Sequence, residues 1–239
     1  MNTTSTLQGL RVAVTGGTSG LGLALVRTLH AQGARVAFVA RDASRVQRVA
    51  AEAPGTHGIV GDIANKSDTH RIALQINAAL GGLDVLVNNA SSLGPVPLAL
   101  LADTECEELA DALAANLLGP FRLTKALLGS LTASARERRA EVRAALVVNI
   151  TSDAAVTPYP GWGAYGASKA ALLHLSRIWN EELAEHAVRV ISFDPGDMDT
   201  PLHALAVPDA DPASLKRPAD AAGELVAKIV AELATEVAA

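Results

Sequence analysis

Thr15-Gly16-Gly17-Thr18-Ser19-Gly20-Leu21-Gly22 joins a short apolar run, residues 10–15, to a segment of helical period, residues 21–32. Glycines at 16, 20 and 22 let the backbone turn sharply and approach another group closely. A helix that starts at once presents unpaired N–H groups and the positive end of its dipole to whatever lies in the turn. A strand, a glycine-rich turn and a helix in that order make a cradle for a pyrophosphate, with Thr18, Ser19 and Leu21 supplying further backbone and hydroxyl groups. The spacing differs from the general G-x-G-x-x-G fingerprint, and a purely structural turn is the alternative reading.

Outward from this turn the chain alternates. Strand patterns at 10–15, 35–40, 58–62, 84–88, 145–150 and 188–193 are short and nearly continuous in apolar residues. Helical patterns fill 21–32, 43–52, 66–80, 103–128 with a break near Pro120, 164–185 and 219–237. Such alternation predicts βαβ units and a doubly wound parallel α/β sheet with helices on both faces. With 239 residues, 49% hydrophobic and only 3% aromatic, the chain predicts a single domain, 1–239, whose core is aliphatic. Residues 196–218, with four prolines, read as a lid-like loop. Residues 133–144 read as a charged, solvated helix end.

Composition removes several function classes. A formal net charge of −5 without a dense basic patch argues against nucleic acid. Cys106 is the single cysteine, which excludes an intrachain disulfide, and six scattered histidines predict no metal. No stretch reads as a signal peptide or a membrane span, so a cytoplasmic location is the expectation.

Cofactor choice is read at the end of the second strand. Ala40 occupies the place of the carboxylate that would bind a ribose 2′-hydroxyl, and Arg41 follows it. A guanidinium pairs with a 2′-phosphate through two hydrogen bonds, which predicts NADP(H) over NAD(H), with Arg45 in support. A solvated strand-end arginine is the alternative. Asp62 and Ile63, at the end of the third strand, are candidates for the adenine.

Tyr165-Gly166-Ala167-Ser168-Lys169 puts a phenol and an ammonium on one helical face. A cation beside a phenol lowers its pKa from about 10 toward the range useful for proton transfer. Ser152, just past a strand, is placed to hydrogen-bond a carbonyl, and Asn116 lies on the preceding helix.

With these residues in hand, the chain resembles the short-chain dehydrogenase/reductase family in its single-domain form, from about Leu10 to Pro218. Thr15–Gly22 matches the family's T-G-x-x-x-G-x-G turn, and Asn88-Asn89-Ala90 its N-N-A segment. Asn116, Ser152, Tyr165 and Lys169 match its tetrad, and Pro195-Gly196-Asp197-Met198-Asp199-Thr200 its P-G-x-x-x-T segment. The resemblance implies a Rossmann-like sheet in the order 3-2-1-4-5-6 and NADPH-dependent interconversion of a carbonyl and an alcohol. Tyr165 would be the general acid/base, Lys169 would lower its pKa and bind the nicotinamide ribose, and Ser152 would polarise the carbonyl. Asn116 would hold a water of the proton relay, Met198 and Thr200 the carboxamide, and Asn88 and Ala90 would line the cofactor groove beside Pro195 and Gly196. The rival reading is a non-catalytic NADP(H)-binding sensor or scaffold.

Two departures stand out. Ser91 follows Asn88-Asn89-Ala90 where the family usually has glycine, adding a side chain near the cofactor. No pattern for the family's usual last strand follows the final helix, so a homodimer through residues 103–128 and 164–185 is expected beside the usual homotetramer. Ser92–Val96, Asp153, Ala154, Tyr159, Trp162 and the 197–205 segment are candidate pocket walls. Asp153, Asp199 and His203 among them point to a polar or cationic small-molecule substrate.

Overall fold

The computed structural model describes residues 7–137 and 144–234. The middle of the charged stretch 133–144 and the end of the segment 219–237 lie outside the described residues.

Six strands form one parallel sheet: β1 (Arg11–Thr15), β2 (Arg35–Ala40), β3 (His57–Val60), β4 (Val85–Asn88), β5 (Ala145–Ile150) and β6 (Val188–Phe193). Their order is β3-β2-β1-β4-β5-β6. The direction of propagation reverses between β1 and β4, so a crevice opens where the crossovers diverge. Register brings the strand ends level there: Val14 pairs with Val87, Asn88 with Asn149, and Ile150 with Phe193.

Helices α1 (Gly20–Ala31), α2 (Ala43–Glu52), α3 (Thr69–Leu80), α4 (Cys106–Leu113), α5 (Gly119–Glu137), α6 (Gly163–Glu182), α7 (Pro201–Ala206) and α8 (Pro218–Ala234) surround the sheet. Strand side chains alternate between its two faces. Val12 and Val14 of β1 meet Leu25, Leu29, Leu225 and Ile229 from α1 and α8. Ala13, between them, faces Ile72, Ile76, Leu123 and Leu127 from α3 and α5. Both faces are dry, which is why the strands read as continuous apolar runs. Each such buried aliphatic side chain stabilises the fold by roughly 1.5–3 kcal/mol.

Three expectations change in detail. β3 ends at Val60 rather than at 62, because Asp62 turns back on itself: its Oδ1 accepts the Ala64 N–H at 2.9 Å. The expected helix 103–128 is two helices, α4 and α5, joined by a π-helical turn, Ala114–Leu118. Pro120 has no N–H to give the Asn116 carbonyl, and the Gly119 N–H reaches back five residues to Ala114 instead. Residues 196–218 are structured rather than irregular. Met198 bridges Lys216, and α7 is capped by Thr200, whose hydroxyl accepts the His203 N–H at 3.1 Å.

Candidate functional site

The carboxyl ends of β1, β4, β5 and β6 and the segments after them carry most of the candidate residues. α1 begins without a side-chain cap: Ser19 is extended and makes no capping bond, and no acid stands in the first turn. Its N-terminal N–H groups therefore face the turn with their dipole uncompensated. Gly16 has φ +71°, and a Cβ there would sit 2.9 Å from the Ala90 Cα. A Cβ on Gly17 would lie 2.6 Å from the Phe38 Cβ, and one on Gly22 would strike the Gly16 carbonyl. The turn is thus as tight as a residue can make it. Thr200 closes it from above, with its methyl 3.1 Å from where a Gly20 Cβ would stand.

Asn89, which the sequence reading did not single out, latches this turn. Its amide donates to the Thr15 carbonyl at 2.8 Å, and its N–H donates to the Thr15 hydroxyl at 2.9 Å. Asn88 corrects the expectation that it lines the groove. It is buried and donates to Asn149 Oδ1 at 2.8 Å and Thr124 Oγ1 at 3.2 Å. At a strand end successive side chains point to opposite sides, so Asn89 takes the turn and Asn88 the interior.

Arg41 is exposed and, among the described residues, has no hydrogen-bond or ion-pair partner. Its neighbour Asp42 is spent on α2: Oδ1 accepts the Arg45 N–H at 3.0 Å and the Ser44 hydroxyl at 2.7 Å. Arg45 lies 3.6 Å from the same carboxylate. Ile63 is buried against Gly119, and Asp62 lies in the turn beside it.

Tyr165 and Lys169 are both buried on the inner face of α6. Lys169 Nζ donates to the Ile150 carbonyl at 2.7 Å and stands 5.4 Å from the Tyr165 ring centre. Burial pushes its ammonium down to about 8, with the Asp194 charge pushing the other way. Burial also pushes the Tyr165 phenol up to about 12; the nearby Ser152 and Ser91 hydroxyls pull it down, and the charges of Asp194 and Asp153 push it up. The expectation of a phenol lowered by its lysine is therefore not met in this arrangement. Desolvation of the phenolate outweighs the favourable groups.

Ser152 is held by its own neighbours in the chain. Its hydroxyl donates to Asp153 Oδ1 at 2.9 Å and accepts the Ala154 N–H at 3.2 Å. Tyr159 donates to Asp153 Oδ2 at 2.7 Å. Asn116, in the π-helical turn, has its whole side chain engaged. Oδ1 accepts from the Ser92 N–H at 2.8 Å and the Ser91 hydroxyl at 3.1 Å. Nδ2 donates to the Ser92 carbonyl at 2.7 Å and the Ser168 hydroxyl at 2.8 Å. The side chain of Asn116 thus ties the loop after β4 to α6, and among the described residues its hydrogen bonds do not include Lys169.

The walls nearest Tyr165 are apolar: Leu93, Ala154, Leu98, Trp162, Leu202 and Ala206. Trp162 meets the phenol ring edge-on at 5.7 Å. Of the polar rim residues, Asp153 is engaged with Ser152 and Tyr159, His203 lies 3.9 Å from Asp197, and Asp199 is exposed. Pro195 is buried and Gly196 takes φ +72°, which sets the course of the segment running to Thr200. Among the described residues no group of three His, Cys, Asp or Glu is placed to hold a metal, and no helix is long and apolar enough to cross a membrane.

Comparison with known proteins agrees with this geometry. The family model described as short chain dehydrogenase matches residues 11–211. Serine 3-dehydrogenase of Agrobacterium fabrum is 32% identical over 191 residues, covering 79% of this chain and 72% of that protein. A short chain dehydrogenase from Shigella flexneri, solved with NADP, superposes with a TM-score of 0.84 at 25% identity, over 98% of this chain and 94% of its own. The 3-ketoacyl-(acyl-carrier-protein) reductase of Brucella melitensis, solved with NADH, gives a TM-score of 0.84 at 27% identity, over 95% of this chain and 93% of its own.

Proposed function

Because the chain belongs to the short-chain dehydrogenase family, we propose that it is an NADP(H)-dependent oxidoreductase that interconverts a ketone or aldehyde and the corresponding alcohol. The observation that carries this reading is the meeting of Ser152, Tyr165 and Lys169 at the sheet edge beside an uncapped helix N-terminus. The cofactor fits the residues present. The turn from Gly16 through Thr18, Ser19, Gly20 and Leu21 to Gly22 has no side chain at the positions where a pyrophosphate needs close approach, and the α1 N–H groups would receive it. Arg41 would pair with the 2′-phosphate, and Asp62 and Ile63 would flank the adenine. Ala90, Pro195, Gly196, Met198 and Thr200 would hold the nicotinamide end, with Lys169 on its ribose. When bound, the nicotinamide supplies or accepts the hydride.

The chain's own residues handle the substrate oxygen. Ser152 turns its hydroxyl toward the carbonyl and draws charge onto that oxygen. In reduction, the Tyr165 hydroxyl gives its proton to the oxygen as the C–O π bond is lost, leaving a phenolate. In oxidation, the phenolate takes that proton back. Lys169 offsets the charge of the phenolate. Leu93, Trp162 and Leu202 exclude water and favour a carbonyl flanked by apolar groups, while the exposed Asp199 at the rim supports a polar or cationic group farther out on the substrate. The chain acts as one catalytic unit, with residues 196–218 over the site, and assembles as a homodimer or homotetramer.

The test is a panel of ketones, aldehydes and secondary alcohols, assayed with NADPH and NADP by the absorbance of the reduced nicotinamide. Tyr165→Phe should lower turnover by roughly a hundred- to ten-thousand-fold, the usual share of a general acid. NADPH binding, read by fluorescence titration, should stay within a few-fold. A variant that keeps substantial turnover would overturn the mechanism, and binding of NADPH without turnover across the panel would favour the sensor or scaffold reading.

A further inference from the structure

Ser152 has one proton to give, and its neighbour Asp153 holds it. The Ser152 hydroxyl donates to Asp153 Oδ1 at 2.9 Å and accepts the Ala154 N–H at 3.2 Å. A seryl oxygen carries one proton and two lone pairs. With the proton on the carboxylate and one lone pair on Ala154, a single lone pair is left for the site. In this arrangement Ser152 faces a substrate as an acceptor, not as a donor.

Asp153 is fixed on several sides. Its Oδ2 accepts the Tyr159 hydroxyl at 2.7 Å, so both carboxylate oxygens are engaged. Its carbonyl accepts the Val156 and Thr157 N–H groups, each at 2.9 Å, which holds the backbone of the residue. The Tyr159 bond keeps the carboxyl below its usual range, partial burial works against this, and the Ser152 bond adds to it. An ionised carboxylate only accepts, so the proton between the two side chains belongs to Ser152 and the bond is charge-assisted.

The two forms of a substrate meet this serine differently. An alcohol brings an O–H, which the free lone pair accepts while Asp153 keeps the serine proton. A ketone or aldehyde brings only lone pairs to its oxygen. To bond it, Ser152 must turn its proton away from Asp153 and give up the charge-assisted bond. We propose that Asp153 is a positioning residue of this site, which holds the Ser152 proton so that the site takes up the alcohol more readily than the matching carbonyl compound. The proposal rests on the reading of Ser152 as the partner of the substrate oxygen.

The protein does not alter the equilibrium between free alcohol and free ketone, so the preference is read in binding. Two complexes cannot react: the alcohol on protein loaded with NADPH, and the ketone on protein loaded with NADP. Calorimetry with the best ketone and alcohol pair of the panel gives their dissociation constants, and hence one ratio, ketone over alcohol. Asp153→Ala should lower that ratio by about tenfold, the difference between a charge-assisted and a neutral hydrogen bond. Asp153→Asn keeps an acceptor beside Ser152 without the charge, and should fall between wild type and Ala. In a Ser152→Ala background, Asp153→Ala should leave the ratio where it was, because no serine proton remains to be held.

An unchanged or raised ratio in Asp153→Ala and Asp153→Asn would overturn the proposal. So would an equal drop in the Ser152→Ala background, since the Asp153 charge would then act on the ligand directly. Failure of both variants to melt cooperatively would also overturn it, and would make Asp153 an anchor of the fold. Absence of turnover across the whole panel would remove the reading of the site itself, whereas turnover with an unchanged ratio would remove the role of Asp153 alone.

Discussion

The Lys169 ammonium and the Ile150 carbonyl stand 2.7 Å apart, one inside α6 and the other at the last residue of β5. That bond holds a fully buried cation at the sheet edge, 5.4 Å from the Tyr165 ring. The position suits proton chemistry, but it is expensive for the fold, since burial disfavours the charged form.

The cost is measurable as pH-dependent stability. Lys169 is pushed from 10.5 down to about 8 by burial. Between those values the unfolded chain binds a proton that the folded chain has released, so stability rises with pH across that window. At about 1.4 kcal/mol per unit the rise from this group is roughly 3 kcal/mol. Tyr165 acts oppositely: its folded value of about 12 exceeds its ordinary 10.0, so its contribution is lost as pH climbs through 10 to 12. Denaturation of the wild type between pH 7 and 10 should thus show a rise that Lys169→Met lacks. Equal slopes for the two proteins would mean that the ammonium is better solvated than its burial implies.

Gly22 and Gly129 make a paired test of what glycine does in a helix. A Cβ on Gly22 meets the Gly16 carbonyl and stands 2.5 Å from Asn89 Nδ2, the one in the glycine-rich turn and the other latched onto it. Gly22→Ala should cost about 1–3 kcal/mol, the range for overpacking, and should abolish NADPH binding. A Cβ on Gly129, inside α5, meets nothing within 4 Å. Gly129→Ala should stabilise the protein by up to about 1 kcal/mol through helix propensity and leave binding alone. Similar melting temperatures for the two variants would contradict the account of the turn.

Much of this site is legible in the sequence because its positions are set by local chemistry. The strand-turn-helix course through Thr15–Gly22 is legible because its parts are consecutive, and β2, β5 and β6 match their expected ranges because their apolar runs end in polar residues. What escapes is settled by packing between distant segments. The division of labour between Asn88 and Asn89 depends on which face of β4 each residue takes. The π-helical turn at Asn116 had a signal, Pro120, but the signal marks a break without giving its form. The phenol pKa reverses direction because burial of Tyr165 beneath Trp162 and Leu93 is a tertiary fact, while the nearby lysine is a local one.

Asn116 illustrates the same point as an energetic prediction. Its buried side chain joins Ser91 and Ser92 to Ser168 through four hydrogen bonds. Asn116→Ala leaves the Ser92 N–H and carbonyl without these partners, at a cost of roughly 2–3 kcal/mol. For a chain of this length the melting temperature should fall by roughly 5–10 °C. Asn116→Asp keeps the acceptor but loses the donors, and should fall between the two. A drop in turnover with no change in melting temperature would argue that Asn116 acts on the proton path rather than as this tie.

On the proposed NADP(H) reading, cofactor preference would turn on Arg41 and on what its neighbours are doing. Ala40 offers no carboxylate to a ribose 2′-hydroxyl. The next acid, Asp42, has Oδ1 bound to the Arg45 N–H and the Ser44 hydroxyl and so is turned into the start of α2. That leaves Arg41, exposed and unpaired among the described residues, as the group that a 2′-phosphate would meet. A hydrogen bond between charged partners contributes about 1.5–3 kcal/mol, which is about a ten- to hundred-fold effect on affinity. Arg41→Ala should therefore lower kcat/KM with NADPH by about that factor while leaving NADH nearly unchanged. Arg41→Asp adds repulsion to the 2′-phosphate and an acceptor for the 2′-hydroxyl, and should invert the ratio of the two cofactors. Asp42→Ala should weaken α2 but shift the preference little, because its carboxylate serves the helix. If the NADPH to NADH ratio is the same in wild type and Arg41→Asp, the guanidinium is a solvated strand end and the selectivity must be sought elsewhere around the adenosine.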